Sequence, residues 1–100
     1  MPYRVYCMQT PSGLLAGIGA SSGNLKKATD RNRIKRLMRE AYRLQKSFLE
    51  RSLAESNKGL NVFFLFTGKV LPVQKEVMDD FEKILKRLIR LSNEDFKTLT

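Results

Sequence analysis

The spacing of apolar residues changes along this chain, and each change marks an element. Tyr3 to Met8 is short and rich in Tyr and Val, which predicts a strand. Thr10, Pro11, Ser12 and Gly13 form a turn cluster. Leu14 to Ala20 is apolar and predicts a second strand, expected to pair with the first as a hairpin. Gly17 and Gly19 weaken that strand. They also leave one of its faces without side chains, where another group can approach closely. Ser21 to Asn24 reads as a plain flexible loop, and Lys26 and Lys27 lead out of it. A P-loop is excluded, because no Gly-Lys-Ser/Thr ending follows.

Helical spacing begins near Asp30, with Thr29 or Asp30 placed to cap the start. At about 100° per residue, Ile34, Leu37, Met38, Ala41 and Leu44 fall on one stripe, and Phe48 extends it. The periodicity continues through Leu49 and Leu53, so the helix should run to about residue 55. Its second half, from Ser47 to Glu55, mixes both charge signs and reads as solvated. Ser56, Asn57, Lys58 and Gly59 stop it.

Leu60 to Thr67, LNVFFLFT, is the most apolar run and predicts a buried central strand. Phe63, Phe64 and Phe66 are read first as core packing and only second as rings that stack on RNA. Gly68 and Lys69 follow, where a lysine can reach a phosphate. Leu71 and Pro72 open a second helix, Val73 to about Leu91, buried through Val77, Phe81, Ile84, Leu88 and Leu91. Acidic residues gather in its first half and Lys83, Lys86, Arg87 and Arg90 in its second, as the helix dipole favours. Ser92 to Thr100 is expected to add a short turn or fray. The order predicts one α+β domain over residues 1–100. Strands at about 3–8, 14–20 and 60–67 form a small sheet, packed with helices at about 30–55 and 73–91.

Charge changes the picture most within the first helix. Seven of the seventeen residues from Asp30 to Lys46 are Lys or Arg. Arg31, Lys35, Arg36, Arg39, Arg43 and Lys46 fall roughly opposite the apolar stripe with Asn32 among them, and Arg33 sits at the border. Only Glu40 interrupts the run. Like charges at i,i+4, such as Arg31 with Lys35 and Lys35 with Arg39, oppose helix formation by a few tenths of a kcal/mol each. A sequence that tolerates this repulsion is built to meet an anion. The whole chain carries a net charge of +9, which favours a polyanion as partner.

The same residue inventory narrows the chemistry. Histidine is absent and Cys7 is the single cysteine, so no His-dependent catalysis, tetrahedral zinc shell or intrachain disulfide can be built. Cys7 reads as a small buried hydrophobe. Asp79 and Asp80 point to different faces of their helix. No stretch approaches the length of a membrane span, and the N-terminus lacks a signal-peptide core, so the chain reads as cytoplasmic, without membrane or metal of its own. What remains is recognition. Arg and Lys offer charge-assisted bonds to phosphate, Asn32 can bond phosphate, ribose or a base edge, and Tyr3 and Tyr6 offer rings on a strand. Three readings fit: an RNA-binding subunit, a stand-alone nucleoid or ribosome-associated module, and a membrane-surface binder. The last requires the amphipathic helix to leave its core.

From Lys27 to Arg43, KATDRNRIKRLMREAYR, the sequence resembles the bacterial ribonuclease P protein component. The family motif is an Ala, an Arg-Asn-Arg core, a Lys-Arg pair and a further Arg, matched here by Ala28, Arg31, Asn32, Arg33, Lys35, Arg36 and Arg39. The order of elements from Tyr3 to about Leu91 agrees as well. The resemblance implies the protein subunit of a ribonucleoprotein that removes the 5′ leader from precursor tRNA. Its RNA subunit would cleave with Mg²⁺, leaving this chain no catalytic group and no cofactor of its own. It implies RNA contacts at Arg31, Asn32, Arg33, Lys35, Arg36, Arg39 and Arg43, with Lys26 and Lys27 beside them. It further implies leader contact at Tyr6, with Tyr3 as a second candidate, and a left-handed crossover around the basic helix, against the usual rule.

Two departures from the family pattern stand out. The family's usual N-terminal basic segment, short helix and Phe-bearing strand have no counterpart here. This form is therefore expected to expose apolar sheet surface that favours a homodimer, and to bind the catalytic RNA while handling leader poorly. The family's loop lysine pair is also displaced: Ser21 and Ser22 stand near those positions, and Lys26 and Lys27 come later.

Overall fold

The two N-terminal strands do not pair with each other. β1 (Tyr3–Thr10) and β2 (Leu14–Ala20) flank β3 (Gly59–Phe66), which lies between them in a three-stranded sheet. The structure, a computed structural model, describes residues 2–92. β1 runs antiparallel to β3, from Tyr3 opposite Phe66 to Thr10 opposite Gly59. β2 runs parallel to it, from Leu14 opposite Leu60 to Ala20 opposite Phe66. The hairpin expected from the sequence is therefore replaced by a gap one strand wide, which β3 fills. A short turn between two alternating runs looks the same in sequence whether the strands touch or straddle a third.

The link from β1 to β2 has to span about two strand spacings, on the order of 10 Å. It does so by passing directly over the start of β3. A Cβ on Gly59 would collide with the backbone of Ser12 and with Thr10 Oγ1, so only glycine fits beneath the link. Gly13 turns the chain with φ +86°. Its carbonyl accepts from Leu60 N–H at 2.8 Å, and Thr10 Oγ1 donates to the Ser12 carbonyl at 3.2 Å.

α1 (Ala28–Glu55) connects β2 to β3, and α2 (Gln74–Ser92) follows β3. α1 starts ahead of the cap expected at Thr29 or Asp30. Lys27 occupies the cap position, without a side-chain cap bond, and Asp30 lies in the first turn, where its charge suits the helix dipole. The other end closes as the sequence suggests. Asn57 adopts φ 54°, its N–H donates to the Ala54 carbonyl at 3.2 Å, and Lys58 N–H donates to Leu53 at 3.0 Å. This paired arrangement is a Schellman ending, with asparagine in the left-handed position. Apart from Ser92, which ends α2, the segment expected to turn or fray lies outside the described residues.

Both helices cover one face of the sheet. Leu60, Val62, Phe64 and Phe66 alternate into the core with Cys7, against Ile34, Met38, Ala41, Leu49 and Leu53 of α1 and Val77, Phe81, Ile84, Leu85 and Leu88 of α2. The rings of Phe64 and Phe81 lie 5.0 Å apart, and Tyr42 approaches Phe64 at 5.6 Å. Leu44 and Phe48 are a correction: 53% and 64% exposed, they flank the core stripe instead of joining it. The buried stripe of α1 is rotated towards Tyr42 and Gln45, because α2 packs there and Gln45 Nε2 donates to the Met78 carbonyl at 3.1 Å. Among the described residues, no helix is long and apolar enough to cross a membrane.

Candidate nucleic-acid interface

Two surfaces remain outside this core, and they differ in chemistry. The first is the basic side of α1. Asn32, Arg33, Arg36, Arg39 and Arg43 are exposed, while Arg31, Lys35 and Lys46 are half-buried. At 1.5 Å per residue, the row from Asn32 to Arg43 covers about 16 Å, the reach of several successive phosphates. Its cations are not equivalent. Arg43 Nη2 pairs with Glu40 Oε1 at 2.6 Å, which raises the guanidinium pKa further through that hydrogen bond and the carboxylate charge. Part of its charge is thus met within the helix. Lys86 of α2 is likewise paired with Glu82 at 3.0 Å.

Arg31 is also engaged internally. Its Nη1 donates to the Leu25 carbonyl at 2.8 Å and to the Lys26 carbonyl at 2.7 Å, tying the preceding loop to the helix. The loop is held again at the sheet. Ser21 N–H donates to Phe66 at 2.9 Å, and Asn24 Nδ2 donates to the Thr67 carbonyl at 2.8 Å. Leu25 is buried between these ties, and Lys26 and Lys27 are left exposed at the start of α1. Lys69 is exposed just beyond Thr67, at the end of β3 to which the loop is fastened.

The second surface is the sheet face turned away from the helices. Arg4, Tyr6, Met8 and Thr10 alternate onto it from β1, Leu15, Gly17 and Gly19 from β2, and Asn61, Phe63 and Leu65 from β3. Phe63 corrects the expectation of three core phenylalanines. It is 40% exposed, and its ring lies against the glycine strip of β2. A Cβ on Gly17 would meet that ring at 2.7 Å, and one on Gly19 at 2.8 Å. The close approach that the two glycines permit is made by this ring. Beside it lies a shallow depression of about 420 Å³ between Tyr6, Met8, Leu15, Asn61 and Phe63.

Tyr3 does not share this face with Tyr6. The strand alternation turns it inwards, edge-on to Phe66 at 5.4 Å and to Phe81 at 5.6 Å. Burial, together with Asp80 and Glu76, pushes its pKa upward. The sequence reading also missed Asn61, Met8 and Leu15 as lining residues. Stepping one residue off the buried Phe64 and then counting by twos would have found Phe63 and Asn61 on the opposite face, but only with the strand order in hand. Among the described residues, no group of three His, Cys, Asp or Glu side chains is placed to hold a metal ion.

Comparison with known proteins points one way. The family model described as Ribonuclease P matches residues 2–89. A ribonuclease P protein component from Chlorobaculum tepidum is 42% identical over 69 residues, covering 63% of this chain and 45% of that protein. The protein of the same name from Porphyromonas gingivalis is 34% identical over 71 residues, covering 71% of this chain and 52% of its own length. The chain thus spans about half the length of these curated relatives. No solved structure gives a significant match.

Proposed function

This chain belongs to the ribonuclease P protein family, and from that premise we propose that it is the RNA-binding subunit of ribonuclease P. The complex removes the 5′ leader of precursor tRNA by endonucleolytic cleavage in the cytoplasm. The exposed row of Asn32, Arg33, Arg36 and Arg39 on one helix carries the reading. Generic attraction to a polyanion needs only charge, whereas this row sets one amide among guanidinium groups at fixed helical spacing, matching rigid donors to phosphates and a neighbouring ribose or base edge. Cleavage and the Mg²⁺ that assists it are assigned to the RNA subunit. This chain's part is to bind that RNA and to hold precursor tRNA beside it.

The open sheet face suits the leader. Tyr6 and Phe63 offer rings on which unpaired bases can stack, next to the amide of Asn61 and the guanidinium of Arg4. Without RNA, its exposed Met8 and Leu15 make the same face the surface through which two copies would meet. Sedimentation equilibrium of the chain alone reads that association.

Reconstitution tests the main reading. The chain is mixed with a bacterial ribonuclease P RNA, and precursor-tRNA cleavage is followed at low Mg²⁺, where RNA alone is slow. Rescue of cleavage is expected. Arg36→Ala should weaken RNA binding by about 1.5–3 kcal/mol, and Lys83→Ala on α2 should leave it nearly unchanged. With about six phosphates neutralised, log K should fall with log salt at a slope of roughly −4 to −5. Equal losses at Arg36 and Lys83, without rescue, would refute the subunit role in favour of a generic basic module.

A further inference from the structure

Arg31 is the first arginine of the basic motif, yet its geometry differs from that of Arg33, Arg36 and Arg39. It is half-buried, and one nitrogen of its guanidinium makes two short bonds to consecutive backbone carbonyls, Leu25 and Lys26. A cation in the first turns of a helix is opposed by the helix dipole. These two carbonyls offset that cost, and they belong to the segment just before a helix that has no side-chain cap. Asn24 fastens the same segment to Thr67, 43 positions away in sequence. The segment from Ser21 to Lys27 therefore has fixed points at the end of β3, at the buried Leu25 and at Arg31. The charged side chains that it presents are Lys26 and Lys27.

We propose that Arg31 and Asn24 are positioning residues, which act on RNA by holding Lys26 and Lys27 in place rather than through phosphate contacts of their own. The proposal rests on the RNA-binding reading above and divides the motif in two. Arg33, Arg36 and Arg39 meet the RNA. Arg31 braces a second pair of cations next to them. An unbraced loop would have to be ordered when RNA binds, and that ordering entropy would be subtracted from the affinity. Asn24 makes the proposal testable, because it carries no charge and so cannot contribute as a phosphate ion pair.

The experiment is a double-mutant cycle on the full chain, read as affinity for an in-vitro-transcribed bacterial ribonuclease P RNA at several salt concentrations. Arg31→Ala and Asn24→Ala are each made alone and in a Lys26→Ala/Lys27→Ala background, with thermal unfolding midpoints recorded for all. Each single change should weaken binding roughly threefold to tenfold in the native background and by less than about twofold when the lysines are absent. Asn24→Ala should also make the salt slope shallower by up to about one to two units, although it removes no charge. A loss at Arg31 that is undiminished in the lysine-free background would mean that Arg31 touches RNA itself, and would overturn the proposal. So would an RNA affinity indifferent to removal of both lysines, even while Arg36→Ala still weakens binding and upholds the broader reading. Failure of the unaltered chain to bind the RNA would overturn both. Arg31→Gln, which keeps a donor without the charge, serves where Arg31→Ala lowers the unfolding midpoint, and it should retain more affinity than alanine.

Discussion

The two faces of the sheet are made from the same strands and hold neighbouring residues of one sequence run, yet one is closed into a core and the other is left open. Phe64 and Phe66 point into a closed core with Tyr3 and Phe81. Phe63, between them, lies on a shelf of glycine and faces outwards with Tyr6, Met8 and Leu15. The difference is one step of the strand pleat. Composition therefore says little about whether an aromatic residue enters the core or stays at the surface. The neighbouring strand decides it: large side chains from the helices meet one face, and small residues on β2 leave room on the other.

Substitutions can break this comparison in order of effect. Phe64→Ala should cost about 3–5 kcal/mol in urea unfolding, as expected for a fully buried ring that leaves a cavity. Gly59→Ala should cost about 1–3 kcal/mol or more, because Ser12 C and O among the colliding atoms are backbone and cannot rotate away. Tyr3→Phe should be neutral or stabilise by up to about 1 kcal/mol, since the buried Tyr3 hydroxyl has no hydrogen-bond partner among the described residues. Phe63→Ala should stay within about 1 kcal/mol of the native stability while lowering affinity for a leader-length single strand. A stability loss at Phe63 equal to that at Phe64 would show the open face to be core.

Alkaline pH sharpens the same contrast on the covered side. Tyr42 is pushed up to about 12 by burial and by Glu50, and Tyr3 is raised by burial and its two carboxylate neighbours. Both stay neutral in the folded chain at a pH where tyrosine in an unfolded chain, which ionises near pH 10, gives up its proton. Their contribution to stability is complete below about pH 10 and is lost as pH rises through their folded values. Denaturant midpoints measured from about pH 9 to 12 should fall, and Tyr3→Phe should fall less steeply.

Much of this was legible in the sequence. Helix periodicity located both helices, and the Val77, Phe81, Ile84 and Leu88 stripe of α2 is buried as its spacing predicts. The α+β class, the Phe-rich central strand and the crowding of cations on α1 were also readable, since each depends on local pattern. The sheet order was not, because alternation identifies a strand without naming its neighbour. Leu44 and Phe48 escape the sequence for a related reason. A stripe on a helix has a width but no fixed centre until its partner is placed, and α2 moved that centre towards Gln45. Within the candidate interface, the exposed cations could be picked out by type. The internal ties of Arg31 and the pairing of Arg43 with Glu40 could not, because they depend on where a loop returns and on which rotamer a side chain takes.

The link that passes over Gly59 also orders events in time. β1 and β2 leave the ribosome before β3, held apart by the width of a strand that has not yet been made. The long helix follows, with no sheet to lie upon. Only when synthesis reaches residue 66 can the last strand slide between two that are already joined above it, and every pairing in the sheet then forms across more than forty residues of intervening chain. Such distant pairings are slow to find each other. The nascent protein therefore carries its basic helix and two unmatched strands before it has a core, a period in which an RNA that grips the helix would reach it ahead of the finished fold.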